Sequence, residues 1–331
     1  MHAWLCENPV GVDALVWKEL PTPTPGPGEV LIRIRAASLN FPDLLIVQNK
    51  YQFKPALPFV PGSEFSGVVE AVGDGVQQVS VGQNVACLAG TGGFGTHVVV
   101  PADKCFPLPA GFPHVDAAAF IMIYATSHHA LVDRAQLKAG ETVLVLGAAG
   151  GVGTSAIQIA KAMGARVIAA ASTDEKCALC KSIGADATIN YTQHSLPTDF
   201  REAIKKLTDG KGPDVIYDPV GGDFAEPAFR SIAWRGRYVV VGFAAGPIPS
   251  LPLNLTLLKG ASIMGVFWGG FARQEPKASA AAMAELAQWY AQGEIKPVID
   301  STVPMADLKA AYARMGSREV KGKLVLVNPE T

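Results

Sequence analysis

Residues 142 to 153, Thr-Val-Leu-Val-Leu-Gly-Ala-Ala-Gly-Gly-Val-Gly, pass from an unbroken apolar run into small residues and then into a helix pattern. Val143 to Leu146 suits a strand covered on both faces, and Ile157, Ala160, Lys161 and Gly164 continue at helical spacing beyond the glycines. A dinucleotide cradle is built this way. Aligned on its last two glycines, the turn reads Ala148-x-Gly150-x-x-Gly153, a form of G-x-G-x-x-G with Ala in first place. Gly150 lets the backbone approach a pyrophosphate, and Gly153 lets the helix pack tightly on the strand. The free N–H groups at the helix start attract phosphates, so Ala149, Gly150, Gly151 and Val152 are the expected cradle.

The 331 residues are too many for one typical core and fit two domains. With 49% hydrophobic and 17% charged residues the chain has the composition of a compact enzyme, not of a disordered one. A net charge of -1 leaves no basic footprint, so no nucleic-acid partner is expected. The five cysteines are odd in number and scattered, which argues against a disulfide framework and for a reducing, cytoplasmic location. Glu7 and Asp13 fall where a signal peptide would be apolar. The uncharged stretches 142–160 and 238–258 are broken by glycines or by Pro247, Pro249 and Pro252, so no membrane association is expected.

Short β-like runs at Val30–Arg35, Phe65–Val72, Asn84–Leu88 and Thr96–Val100, separated by Gly and Pro, predict an irregular β domain in the first third. Pro21–Gly28 reads as a stiff connecting turn. From residue 123 strands and helices alternate, with strands at Thr142–Leu146, Arg166–Ala171, Ala187–Ile189, Val215–Asp218, Arg237–Val241 and Ser262–Val266. That alternation predicts an α/β, doubly wound parallel sheet over 123–267. A helix over 276–292 and a strand over 323–327 follow; the tail from 268 lacks a core of its own and is expected to rejoin residues 1–122.

This order, with the motifs Leu39-Asn40-Phe41-Pro42-Asp43, Leu57-Pro58-Phe59-Val60-Pro61-Gly62-Ser63-Glu64, Gly147 to Gly153, Asp218-Pro219-Val220-Gly221-Gly222 and Gly322-Lys323, resembles the medium-chain dehydrogenase/reductase superfamily. Within it the chain is similar to the zinc-independent quinone oxidoreductases related to zeta-crystallin. The resemblance covers nearly the whole chain and implies a GroES-like catalytic domain joined to a Rossmann domain. Zinc-dependent relatives carry Cys near Asn40 and His at Ser63; Asn and Ser are poor zinc ligands, so no metal is expected. The lone Cys177-x-x-Cys180 lies on a predicted helix, and His128 and His129 point apart on another. Without a Lewis acid, hydride donation to a quinone or an electron-poor double bond is favoured over alcohol oxidation.

Where NAD-binding strands usually end in an acid, the sequence has Ser172, with Thr173 and Lys176 close behind. A carboxylate would repel a 2'-phosphate, whereas these residues accept one, so NADPH is the expected cofactor. Asp174 and Glu175 are a counterweight, and Ser172-x-x-Glu175 reads as a capping box turning the acids away. The resemblance adds Lys176, Tyr191 and Arg318 to the phosphate site. It also adds Thr126 and the segment ending at Phe267 to the nicotinamide site. Gly242 and Phe243 follow a sheet strand, where open α/β folds place ligands.

On the substrate side the expected catalytic residues are Asn40, Asp43 and Tyr51. Asn40 would position a carbonyl or ribose and Asp43 would organise its loop. By resemblance to enoyl reductases Tyr51 would either give a proton to a developing enolate or pack against substrate, water being the other proton source. The expectation is therefore an NADPH-dependent reductase of quinones or α,β-unsaturated carbonyl compounds. An enoyl-thioester reductase of the same fold and a non-catalytic NADPH-binding protein remain open. A homodimer is expected because the strand near 262–267 would leave a sheet edge needing cover.

Overall fold

The structure, a computed structural model, describes residues 1–193 and 198–329, and these form two compact units. The first comprises Met1–Met122 and Ile299–Thr331, the second Ile123–Val298. Its first stretch runs through β1 (His2–Leu5), β2 (Val16–Glu19), β3 (Glu29–Ser38), α1 (Phe41–Val47), β4 (Glu64–Val72), β5 (Asn84–Leu88), β6 (His97–Pro101), β7 (Cys105–Pro107) and α2 (His114–Ala118). α3 (Ile121–His128) begins at the junction. In β3 burial alternates residue by residue from Glu29 to Ala36, as a strand with one face on a core requires.

The second unit holds β8 (Thr142–Val145), α4 (Gly151–Ala162), β9 (Arg166–Ala171), α5 (Asp174–Ser182), β10 (Ala187–Asn190), α6 (Thr198–Leu207), β11 (Val215–Asp218), α7 (Ala225–Arg230) and β12 (Arg237–Val240). It ends with α8 (Asn254–Lys259), β13 (Ser262–Gly265), α9 (Trp268–Gln274) and α10 (Pro276–Ala291). Its six strands are all parallel in the order β10-β9-β8-β11-β12-β13. This is the two-halved nucleotide-binding topology, and the order reverses between β8 and β11. β8 is buried on both faces because helices cover both, which is why it reads as a continuous apolar run.

The chain then returns through β14 (Ile299–Pro304), α11 (Leu308–Gly316) and β15 (Lys323–Val327). These complete the first unit's seven-stranded sheet, ordered β14-β15-β3-β4-β5-β7 with β6 on β3. Its core gathers Ile32, Ile34, Phe65, Phe94, Leu324 and Leu326. The return comes at Ile299, not at residue 268 as the sequence suggested. Residues 268–298 stay with the second unit because the Phe271 ring stacks on His129 at 4.2 Å, Glu285 binds His128 at 2.8 Å, and Gln158 exchanges two hydrogen bonds with the backbone of Lys296.

Candidate active site

The glycine turn lies where the sheet order reverses. Beyond β8, Gly147 adopts φ 57°, and a Cβ on it would come 2.8 Å from a Val220 methyl. At Gly153 a Cβ would lie 2.5 Å from Gly147 O and 2.7 Å from Ala148 C, backbone atoms that cannot give way. Gly150 is different: the nearest atom to its missing Cβ is Gly147 O at an ordinary 3.4 Å, so the protein's own packing does not demand glycine there. Gly150 caps α4, and the N–H groups of Gly151, Val152 and Gly153 have no acceptor within the helix. Together with buried Ala149 they form a ring of donors at a positive helix end.

The loop after β11 forms the neighbouring wall. Buried Asp218 accepts N–H groups from Val220 (2.7 Å) and Gly221 (2.8 Å) and the hydroxyl of Tyr238. Burial pushes its carboxyl above the usual range, with these bonds pulling against it. The loop after β12 lies against this one: Ala244 N and Ala245 N donate to Pro219 O and Val220 O at 3.0 and 2.9 Å. A Cβ on Gly221 would meet the Phe243 ring at 2.9 Å, so the Gly242–Phe243 segment and 219–222 are fitted to each other. Thr126, in α3, is half-exposed while its neighbours from 123 to 131 are buried. Phe267 follows β13 and is 57% exposed.

At the end of β9, Ser172 and Lys176 come together, Lys176 Nζ standing 3.4 Å from Ser172 Oγ. The capping box expected from Ser172 and Glu175 is not formed. Thr173 is the N-cap of α5 and its hydroxyl accepts Lys176 N at 3.2 Å; its φ of -145° and ψ of 158° are those of a cap, so the helix starts one residue later than expected. The acid is nonetheless occupied: Asp174 accepts from Asn190 Nδ2 at 2.7 Å and from Gln193 Nε2 at 3.1 Å. Tyr191 follows β10 with its ring 4.6 Å from Phe224, and Thr192 Oγ1 donates to Ser172 O at 3.1 Å, which ties this loop to the Ser172 end. Arg318 belongs to the first unit, on the exposed turn after α11 at φ 61°.

In the first unit Asn40 and Asp43 sit in a buried polar cluster that also contains Ser38, Glu64 and Lys323. Lys323 Nζ donates to Leu39 O at 2.7 Å and to Asn40 Oδ1 at 2.5 Å, and lies 3.9 Å from Glu64. Asn40 Nδ2 donates to Glu64 (3.1 Å) and Ser38 (3.3 Å), so both its amide hydrogens are taken. Glu64 also accepts Ser38 Oγ and Met122 N, each at 2.9 Å. Burial lowers the Lys323 pKa, against the opposing pull of Glu64 and Asp43. The sequence reading left Glu64 and Lys323 out of the site. The available signals were a lysine opening the apolar run Lys323-Leu-Val-Leu-Val and an acid directly before the strand residue Phe65.

Asp43 caps α1 by accepting Asn40 N through Oδ2 and holds Ser63 N through Oδ1, both at 2.9 Å. Burial pushes its carboxyl from the ordinary 3.8 up to about 6, outweighing the hydrogen bonds from Ser63 and Asn40 and the charge of Lys323. The folded value lies above the unfolded one, so the contribution to stability is fully present below about pH 4 and is lost as pH rises through about 6. That gap amounts to about 3 kcal/mol. Urea unfolding of wild type and Asp43→Asn should therefore show the wild type losing up to about 3 kcal/mol relative to the variant between pH 4 and 7. A difference independent of pH would contradict this. Tyr51 is half-buried; burial, then the charge of Asp43, pushes its hydroxyl pKa up.

The donors at the metal-ligand positions do not suit zinc. Asn40 Oδ1 already faces an ammonium, Ser63 offers a hydroxyl, and no group of three or more His, Cys, Asp or Glu able to hold a metal occurs among the described residues.

Residues 26–110 match the alcohol dehydrogenase GroES-like domain and residues 151–288 the family described as zinc-binding dehydrogenase. Fold and matches together define a two-domain dehydrogenase or reductase with a nucleotide-binding sheet. The chain is 38% identical over 313 residues to quinone oxidoreductase-like protein 2 of Bos taurus, covering 94% of this chain and 88% of that protein. The quinone oxidoreductase of Thermus thermophilus, solved also in complex with NADPH, is 34% identical with a TM-score of 0.86, over 99% of this chain and 100% of that one. A mycobacterial protein solved with NADPH gives 31% and 0.91 over the same shares. The chain belongs to the quinone oxidoreductase family of the medium-chain dehydrogenase/reductase superfamily.

Proposed function

We propose that this protein is an NADPH-dependent reductase that passes hydride to a quinone or to the β-carbon of an α,β-unsaturated carbonyl compound without a metal. The observation that carries the cofactor half is the Ser172–Lys176 pair at the end of β9, at the position where an acid would select NAD. The amides of Asn190 and Gln193 hold the Asp174 carboxylate. Lys176 and Ser172 would bind the 2'-phosphate, with Tyr191 on the same side of the second unit. The N–H groups of 151–153 would bind the pyrophosphate, and Thr126, Gly242, Phe243 and Phe267 would surround the nicotinamide. When bound, NADPH supplies the hydride.

What the chain supplies is position and a proton. Asp43 and Lys323 hold Asn40 rigidly, leaving its Oδ1 only as a further acceptor. Tyr51, protonated at neutral pH as an ordinary phenol is, or water would give the proton to the developing enolate or hydroquinone. The donor set around Asn40 and Ser63 supports metal independence. β13 is an edge strand with Leu253, Leu257, Ile263 and Phe267 exposed near it, which supports a homodimer joined through that edge. A monomer in sedimentation would remove that reading.

A second reading, reduction of an enoyl thioester, has one observation behind it. The chain is 33% identical over 92% of its length to a segment spanning 14% of the phthioceranic/hydroxyphthioceranic acid synthase of Mycobacterium tuberculosis. NADPH oxidation at 340 nm, with a chelator present, against quinones, enones and enoyl thioesters separates the readings. The expected result is chelator-resistant turnover on quinones or enones, lowered in Tyr51→Phe with cofactor affinity unchanged. Turnover on thioesters alone would favour the second reading. NADPH binding with no turnover on any of the three classes would favour a binding protein.

A further inference from the structure

β5 and β7 pair antiparallel at the edge of the first unit's sheet, and their register sets Cys87 directly opposite Cys105. The two sulfurs lie 3.7 Å apart, with the Cys87 thiol donating to Cys105 Sγ. Neither residue belongs to the site described above. We propose that Cys87 and Cys105 form a reversible dithiol–disulfide couple, oxidised by hydroperoxides.

Three observations carry this. First, the cross-strand register brings the thiols close enough for side-chain rotation to close the gap to a bond of about 2.05 Å. Second, the two thiols are unequal. The hydrogen bond from Cys87 lowers the Cys105 pKa, outweighing its partial burial, while burial and its neighbour raise that of Cys87 well above the usual range. Cys105, on the edge strand and 7% exposed against 0% for Cys87, is therefore the attacking thiol and Cys87 the resolving one. Third, Cys105 opens the three-residue edge strand β7, which is continued by exposed Phe106, so local opening uncovers it at little cost. Cys6, Cys177 and Cys180 lack this arrangement: burial raises all three, Cys180 to about 12.

The chemistry balances. Cys105 thiolate attacks one peroxide oxygen, breaking the O–O bond to give a sulfenic acid and hydroxide, which takes up a proton as water. Cys87 sulfur then attacks the sulfenic sulfur; the S–S bond forms, the S–O bond breaks, and a second water leaves with the Cys87 proton. Two thiols lose two protons and two electrons, and one hydrogen peroxide becomes two waters. A thiol reductant reverses the couple.

The test treats the full-length folded protein with hydrogen peroxide, quenches with catalase, then denatures and alkylates. The chain has five cysteines, all free, so the expected product retains three alkylated thiols, returning to five after reduction with dithiothreitol. Peptide mapping should join the segments carrying Cys87 and Cys105. In Cys87→Ser, where no resolving thiol remains, Cys105 should gain oxygen as sulfinic acid. Five alkylated thiols in peroxide-treated wild type, or a bridge between any other pair, overturns the proposal. The wild-type result decides the question even where the variant does not fold.

Discussion

Lys323→Met is expected to destabilise the protein by about 3–5 kcal/mol, measured by urea unfolding at pH 7. The Lys323 side chain is 4% exposed and that of Glu64 fully buried, so the substitution strands a charge that water cannot reach. It also leaves Leu39 O and Asn40 Oδ1 without their donor. Distance alone would mislead here. Lys18 and Glu7 approach to 2.6 Å, far closer than the 3.9 Å between Lys323 and Glu64, yet both are about half exposed and such a pair contributes at most about 1 kcal/mol. Burial decides which effect wins. Because the damage comes from the unpaired charge, adding Glu64→Gln to the methionine variant should restore most of the loss. A single-variant loss below about 1 kcal/mol, or no recovery in the double variant, would show that the cluster is not held by its charges.

The second large effect is at the glycine turn. Gly153→Val places a side chain where a Cβ already lies 2.5 Å from Gly147 O, so the start of α4 must move off the turn. Overpacking of this kind costs about 1–3 kcal/mol of stability. The N–H groups of 151–153 move with the helix, and losing charge-assisted bonds worth about 1.5–3 kcal/mol each should weaken NADPH binding by at least about a hundredfold. Gly150→Ala is the informative partner. Its φ of -79° suits alanine and no protein atom comes closer than 3.4 Å, so stability should hold while NADPH affinity falls. Loss of stability without loss of affinity in Gly150→Ala would mean that the open space beside Gly150 is not where the pyrophosphate lies.

Much of the architecture is written in local pattern. Asn84–Leu88, Arg166–Ala171, Val215–Asp218 and Lys323–Val327 are strands with the ends their apolar runs suggest, because each run is bounded by a change of residue type that water enforces. The return point of the chain is not local. What keeps 268–298 with the second unit is Phe271 on His129 and Lys296 on Gln158, contacts across more than a hundred residues that no window of sequence contains. The cap of α5 shows the opposite limit: Ser172 and Thr173 are both good caps, and only backbone geometry chooses Thr173.

The site divides the same way. The glycine turn and the nearness of Ser172 and Lys176 are legible because they depend on small residues and on offsets of a few positions from a strand end. The partners of Asn40 are not. Glu64 and Lys323 reach it from 24 and 283 positions away, and only the folded sheet shows that they consume both ends of its amide.

The most direct measurement is equilibrium titration of the chelator-dialysed protein with NADPH and with NADH, followed by cofactor fluorescence. One charge-assisted contact at Lys176 predicts that NADPH binds about ten- to a hundredfold more tightly, and that Lys176→Glu removes the preference. Equal affinities in the wild type, or binding that appears only after zinc is restored, would contradict a metal-free, NADPH-selective reductase.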